Sequence, residues 1–148
     1  MTKKIKSFNN VFYDTFLGIL NKKGKKTKAK KILDQIFLKL SKKTCLPSNV
    51  LLYRLFYKLN TFVEIRQIKF RRSSHFVPFY IPFSRRIYLA VKWILLAIND
   101  DTRKVPLEEK LLVEIFKILK NIPSSSFKAK SLNNLQAFTN KSNIHYRW

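Results

Sequence analysis

The sequence predicts a mainly α, single-domain helical bundle of about six helices, with an extended two-stranded antiparallel β-ribbon inserted before the fourth helix. Three observations carry that class. Apolar residues recur at three- and four-residue spacing in six separate stretches, the spacing changes to alternation between Phe62 and Phe83, and prolines or serines stand where helices should open. A 46% hydrophobic content with 13 Phe, spread over 148 residues, excludes a disordered chain and suits one domain.

Residues 1–10 are basic and weakly periodic, and they read as an N-terminal extension. A short first helix follows, carried by Phe12, Phe16, Leu17 and Leu20. The run Asn21 to Lys31, NKKGKKTKAKK, lets Gly24 close that helix and Thr27 cap the next, whose core face is Ile32, Leu33, Ile36, Phe37 and Leu40 and which should end near Lys43. Pro47 fits the first turn of a third helix with Leu51, Leu52, Leu55, Phe56 and Leu59 inward. The ribbon, residues 62–83, pairs Phe62 to Phe70 with His75 to Phe83 through a connection at Arg71 to Ser74, and Pro78 and Pro82 should leave its second strand as an exposed edge. Ser84 can cap a fourth helix with Ile87, Ala90, Val91, Ile94, Leu95 and Ile98 as its core face, with Trp93 also read as buried. Pro106 opens a fifth, with Glu108 and Glu109 in its first turn and Leu111, Leu112, Ile115, Phe116 and Leu119 inward. Leu132, Leu135 and Phe138 suggest a short last helix before a C-terminal tail, residues 141–148.

Lys and Arg number 31 against 8 acids, a net charge of +23 that would push a compact chain apart unless a polyanion neutralises it. Nucleic acid or anionic lipid is therefore the expected partner. The longest apolar stretch, Ile87 to Ile98, is interrupted by Lys92 and too short to cross a bilayer, so no membrane insertion is expected and the chain reads as soluble. The single cysteine, Cys45, allows no internal disulfide, points to a reducing compartment, and reads as a small buried hydrophobe. Lys outnumbers Arg 23 to 8, and Ile, Asn, Phe and Tyr are abundant, the signature of AT-rich codons of the kind found in organelles and some parasites. The N-terminus lacks both a secretory h-region and the pattern of a transit peptide, which fits synthesis inside an organelle.

Enzymatic chemistry is not expected. The paired acids Asp100/Asp101 and Glu108/Glu109 point in different directions on a helix, and they read as a solvated helix end and as helix-dipole partners. Two distant histidines, one cysteine and two glycines supply no metal-ligand spacing, no phosphate loop and no nucleophile motif, so no metal and no cofactor are expected. RNA binding is better supported. Arg66, Lys69, Arg71, Arg72, Arg85 and Arg86 interleave with rings that include His75, an arrangement that lays cations on phosphates and stacks rings on unpaired bases. A second basic surface comes from Lys22, Lys23, Lys25, Lys26 and Lys28, with Lys3, Lys4 and Lys6 before it.

The order of these elements resembles the bacterial and organellar family of small-subunit ribosomal protein seven. FLGILNKKGKKTKAKKIL, Phe16 to Leu33, is similar to the family's first helix, basic turn and second helix. VEIRQIKFRRSSHFVPFYI, Val63 to Ile81, is similar to its ribbon with a Val-Pro pair at Val77 and Pro78. RRIYLAVKWILLAI, Arg85 to Ile98, resembles the helix after the ribbon, and NKSNIHYRW resembles the family's ending at Asn140, Lys141, His145, Tyr146, Arg147 and Trp148.

The resemblance implies a structural constituent of the small ribosomal subunit that binds the 3′ major domain of the small-subunit rRNA and nucleates assembly of the head. It implies contacts with the neighbouring proteins S-nine and S-eleven, and a ribbon near the exit-site tRNA and the mRNA exit channel. It adds Lys141, His145, Tyr146, Arg147 and Trp148 to the rRNA-binding set, and Arg71, Arg72, Ser73 and Ser74 as the tip facing tRNA or mRNA. Where the family turns its ribbon through Gly-Gly, this chain has Arg71 and Arg72, so its tip must turn without glycine freedom. Bacterial members continue in a tail beyond the position of Trp148, so contacts made by that tail are expected to be absent or supplied by another protein. With the AT-rich composition this favours the mitochondrial matrix and its ribosome over the plastid, and no homo-oligomer is expected. The competing reading is a free basic RNA-binding protein or RNA chaperone outside the ribosome.

Overall fold

The computed structural model describes residues 2–21 and 23–147, with the backbone alone for residues 2–8. The elements run α1 (Thr2–Leu20), α2 (Lys26–Thr44), α3 (Ser48–Leu59), β1 (Val63–Phe70), β2 (Ser73–Tyr80), α4 (Phe83–Asn99), α5 (Leu107–Leu119) and α6 (Ser125–Thr139), with a short 3-10 helix at Lys141–Tyr146. The fold class is the one the sequence predicts: a mainly helical chain with a two-stranded antiparallel hairpin between the third and fourth helices. Among the described residues no helix is long and apolar enough to cross a membrane.

The core forms where the 3.6-residue pattern said it would. Phe12 and Phe16 from α1, Leu33, Ile36 and Leu40 from α2, Leu51, Leu55 and Leu59 from α3, Ile87 and Ile94 from α4, and Leu111 from α5 are fully buried. A smaller cluster of Ile81, Leu89 and Trp93, with Ala129 packed against it, joins the end of the ribbon to α4 and α6.

Helix starts differ from expectation in a consistent way. Pro47, Pro82 and Pro106 each occupy the position before a helix, with φ of −66°, −67° and −61° and extended ψ. The ring fixes φ, and the proline carbonyl accepts the first helical bond: Leu51, Arg86 and Lys110 donate to these three carbonyls at 3.2, 3.2 and 3.3 Å. Ser84 is therefore inside α4 rather than its cap. Thr27 likewise lies inside α2, which begins at Lys26 with no side-chain cap on Lys25. The basic stretch 2–10 forms the first half of α1, because nothing between Thr2 and Leu20 breaks the helix.

Other differences concern which side faces in. In α5 the buried face is Leu111, Glu114, Ile115 and Ile118, while Leu112, Phe116 and Leu119 are half-buried. Glu114 is tolerated inside because its Oε1 accepts from both the backbone N–H and the hydroxyl of Ser126, at 3.2 and 2.6 Å. In α6, Leu132, Leu135 and Phe138, whose spacing predicted the helix, are exposed. Polar anchors turn that helix instead: the Asn133 amide donates to the Val63 carbonyl, Thr61 to Asn134, and the Lys130 ammonium to the Lys58 carbonyl. Cys45 is exposed, with φ 54°, at the left-handed residue that ends α2; it is not a buried hydrophobe. Asp101 is not simply solvated, since Arg103 grips its carboxylate and holds its pKa below the usual carboxylate range.

Candidate nucleic-acid interface

The ribbon turns more tightly than predicted. Phe70 pairs with Ser73 and Lys69 with Ser74, so only Arg71 and Arg72 form the connection and the two serines belong to β2. Arg71 has φ 54°, the left-handed region that a glycine would occupy without steric cost. The Ser73 hydroxyl closes the turn by donating to the Phe70 carbonyl at 3.1 Å, and its oxygen lies 3.0 Å from His75 Nε2. Lys69, Arg71, Arg72, Ser73 and Ser74 are exposed. Phe70, Arg71, Arg72, Ser73, His75 and Tyr146 line an open concavity of about 560 Å³ at this turn.

The base of the ribbon is built from arginines that have protein partners. Arg85 at the start of α4 grips Glu64 of β1 with two bonds, Nε to Oε2 at 3.0 Å and Nη2 to Oε1 at 2.6 Å. This pair pulls the pKa of the largely buried Glu64 carboxylate down against the opposing effect of burial, and raises that of Arg85. Arg66 lies 3.5 Å from the same carboxylate and 5.2 Å from the centre of the Phe79 ring. Arg86 donates to the Ile81 carbonyl and the Tyr80 hydroxyl, with its guanidinium 4.2 Å from the Phe62 ring. The rings of Phe62, Tyr80 and Tyr88 were not among the expected site residues, yet they seat Arg85 and Arg86. Their alternation with the arginines was visible; their partners were not.

The C-terminal residues form a clamp on β2. Pro78 pairs with Ile65 and, having no N–H, must keep that side of its backbone away from β1, which sends the carbonyls of Phe76 and Pro78 to the outer edge. There the Asn143 amide donates to the Phe76 carbonyl at 3.1 Å and Arg147 Nε to the Pro78 carbonyl. The edge expected to be exposed is therefore covered. Tyr146 stacks on His75 with centroids 4.5 Å apart and planes 10° apart, lies 6.0 Å from Phe70, and has His145 on it at 4.1 Å. Lys141 sits over the Phe138 ring. Asn143 escaped sequence reasoning because its partner is 67 residues away.

The second basic surface is the turn between α1 and α2, bent by the left-handed Lys23 and Gly24. Lys23, Lys25, Lys26 and Lys28 are exposed, and Lys25 and Lys28 share an apolar groove of about 450 Å³ with Lys92 and Tyr88. Lys22 and Trp148, both expected to bind rRNA, lie outside the described residues, as do the side chains of Lys3, Lys4 and Lys6. Among the described residues no group of acids, histidines or cysteine is placed to hold a metal.

Fold and site thus define a cation-rich helical bundle with an aromatic-studded β-ribbon, a class built to meet a polyanion. The family model for ribosomal protein S7p/S5e matches residues 1–141, and the chain belongs to that family. It is a structural protein of the small ribosomal subunit and not an enzyme. Similar proteins include the small ribosomal subunit protein uS7m of Reclinomonas americana, 29% identical over 95% of this chain and 87% of its own. The uS7 proteins of Syntrophus aciditrophicus and Mycoplasma genitalium are 30% and 29% identical, over 95% of this chain and 89% and 90% of theirs.

Proposed function

We propose that this protein binds the 3′ major domain of the small-subunit rRNA, nucleates assembly of the subunit head, and does so in a mitochondrial ribosome. The observation that carries the reading is the pairing of family membership with two exposed basic surfaces on a chain of net charge +23. The ribbon tip, with Lys69, Arg71 and Arg72 beside the stacked His75 and Tyr146, suits an unpaired, bent nucleic-acid strand: cations for phosphate and rings for bases. That is the chemistry needed near exit-site tRNA or mRNA. Lys23, Lys25, Lys26 and Lys28 provide phosphate contacts that fix register on rRNA, with Lys3, Lys4, Lys6 and Lys22 extending the same basic stretch of sequence. Arg66, Arg85, Arg86 and Arg147 hold the base of the ribbon through Glu64, the Ile81 and Pro78 carbonyls and the rings packed on their guanidinium groups, and so set the angle at which the ribbon meets RNA. Proteins S-nine and S-eleven are the expected neighbours. The mitochondrial assignment is supported by the AT-rich composition and by the similarity to uS7m.

Sedimentation of an organelle lysate through a high-salt sucrose gradient, with this chain quantified across the fractions, tests the reading. Stoichiometric presence in the small-subunit peak is expected. A peak confined to the top of the gradient would make the protein a free RNA-binding protein instead.

A further inference from the structure

We infer that the ribbon tip takes up protons when it binds nucleic acid, with His75 and, to a smaller degree, His145 as the groups that receive them and RNA phosphate as the ligand that favours them. This rests on the RNA-binding reading above and adds a pH dependence to that site. The chain has two histidines, and the fold brings both against one ring: the centroid of His75 lies 4.5 Å from that of Tyr146, and the centroid of His145 lies 4.1 Å from it. His75 also lines the concavity at the tip with Arg71, Arg72 and Ser73. It is half-buried, and His145 is exposed.

Hydrogen bonds fix which nitrogen of each ring already carries a proton. The Ser73 hydroxyl gives its proton to the Phe70 carbonyl, so its oxygen can only accept from His75 Nε2. The Ser142 carbonyl, which also only accepts, takes the proton of His145 Nδ1 at 2.7 Å. The remaining nitrogens, His75 Nδ1 and His145 Nε2, have no hydrogen-bond partner among the described residues. In the neutral ring each is a lone pair, which a phosphate oxygen repels; protonated, each is a charged donor, which a phosphate attracts. No carboxylate of the protein supplies that attraction. Around the two rings stand Lys69 of β1, Arg71 and Arg72 of the turn, Lys141 of the 3-10 helix and Arg147 after it, all cations. Residues 131–139 of α6 carry no charge, and its lysines, Lys128 and Lys130, lie in its first half. The acid of the ribbon, Glu64, pairs with Phe79 whereas His75 pairs with Ile68, which puts it about 13 Å away along the strand at about 3.3 Å per residue, in the grip of Arg85 and Arg66. A proton on either ring is therefore opposed in the free protein and favoured once phosphate enters. By linkage, acid strengthens binding as much as binding strengthens protonation.

The test measures the affinity of the full chain for hexauridine that carries a non-titrating dye and no terminal phosphate, so that nothing on the probe changes charge between about pH 8 and about pH 6. At constant ionic strength the affinity should rise about three- to tenfold as pH falls across that window, in which histidine gains its second ring proton. The His75→Gln/His145→Gln double variant should give a flat profile, and His145→Gln alone should lose the smaller part of the rise. Cys45→Ser should keep the rise, which excludes the thiol as its source. In the unaltered chain, the ring-proton resonances of the two histidines, followed by NMR, should titrate at higher pH with the strand bound than without it. Binding with a flat profile in the unaltered chain, or a rise that survives in the double variant, overturns the inference and leaves the RNA-binding reading standing. An affinity that weakens as pH falls overturns it too, because the ring nitrogens would then be accepting from a 2′-hydroxyl or a base. Failure to bind at any pH removes the RNA-binding reading and this inference with it.

Discussion

At the base of the ribbon every arginine is engaged by the protein, whereas at its tip and in the α1–α2 turn the cations face solvent. Arg85 holds Glu64, Arg86 holds the Ile81 carbonyl and two rings, and Arg147 holds the Pro78 carbonyl. Arg72 has no partner among the described residues, and Arg71 meets only the Phe70 ring. The same residue type thus does two jobs. At the base, guanidinium geometry ties a strand to a helix and a tail to a strand edge; at the tip, charge is left available. Two lysines belong with the base: Lys58 donates to the Ile118 and Leu119 carbonyls at the end of α5, and Lys130 to the Lys58 carbonyl at the end of α3. Burial lowers the pKa of both.

If this division holds, substitutions at the base cost stability and substitutions at the tip cost salt-dependent affinity. The largest effect is expected for Trp93→Ala. Its ring is 7% exposed and packs with Ile81 and Leu89 under the ribbon, so its removal should cost about 3–5 kcal/mol in chemical denaturation. Next comes Arg85→Ala, which leaves the Glu64 carboxylate without its two best donors. Because Arg85 is 38% exposed, solvent screens the pair, and a loss of about 1 kcal/mol is expected. The pair also sets a pH dependence. The folded pKa of Glu64 is depressed, so its contribution is fully present above the unfolded carboxylate pKa of about 4.3 and is lost as pH falls from there through the folded value. Denaturation curves between neutral pH and about pH 3 should show that Glu64→Gln flattens the acid side of the stability profile. An unchanged profile would remove the Glu64–Arg85 pair from the base.

The contrast also marks what was readable in the sequence. Helical periodicity found the core, since Phe12, Leu33, Leu55 and Ile94 are buried because they recur on one face. Alternation found the ribbon, and proline positions found the helix starts to within a residue or two. In α5 periodicity found the residues that lie in or pack on the core and in α6 it found a helix, but long-range polar contacts add what no local pattern shows: Ser126 draws Glu114 inward, and Asn133, Asn134 and Lys130 turn α6 so that Leu132 and Phe138 face out. The candidate site was legible as a list of cations but not as a division of labour. Whether Arg147 meets a phosphate or the Pro78 carbonyl depends on how a tail folds back over 69 residues of chain, which no local pattern encodes.

The smallest effects are expected at the tip and the basic turn, and they sharpen the comparison most. Replacing Lys23, Lys25, Lys26 and Lys28 together by Ala should leave stability within about 0.5 kcal/mol and lower the slope of log affinity against log salt for rRNA by about 0.7–0.9 for each phosphate no longer neutralised. Arg71→Gly separates charge from conformation in one residue. The left-handed φ of Arg71 costs about 1–2 kcal/mol, which glycine relieves, but glycine also adds about 0.5–1 kcal/mol of unfolded-chain freedom to be lost on folding. The net change in stability should therefore be a small gain, within about 1 kcal/mol, while the salt slope falls by about 0.7–0.9, the equivalent of one phosphate. The two readouts move in opposite directions, as they should if this chain accepts a strained turn in order to place a cation where glycine would have turned freely. A fall in stability with an unchanged slope would instead place Arg71 with the partnered arginines of the base.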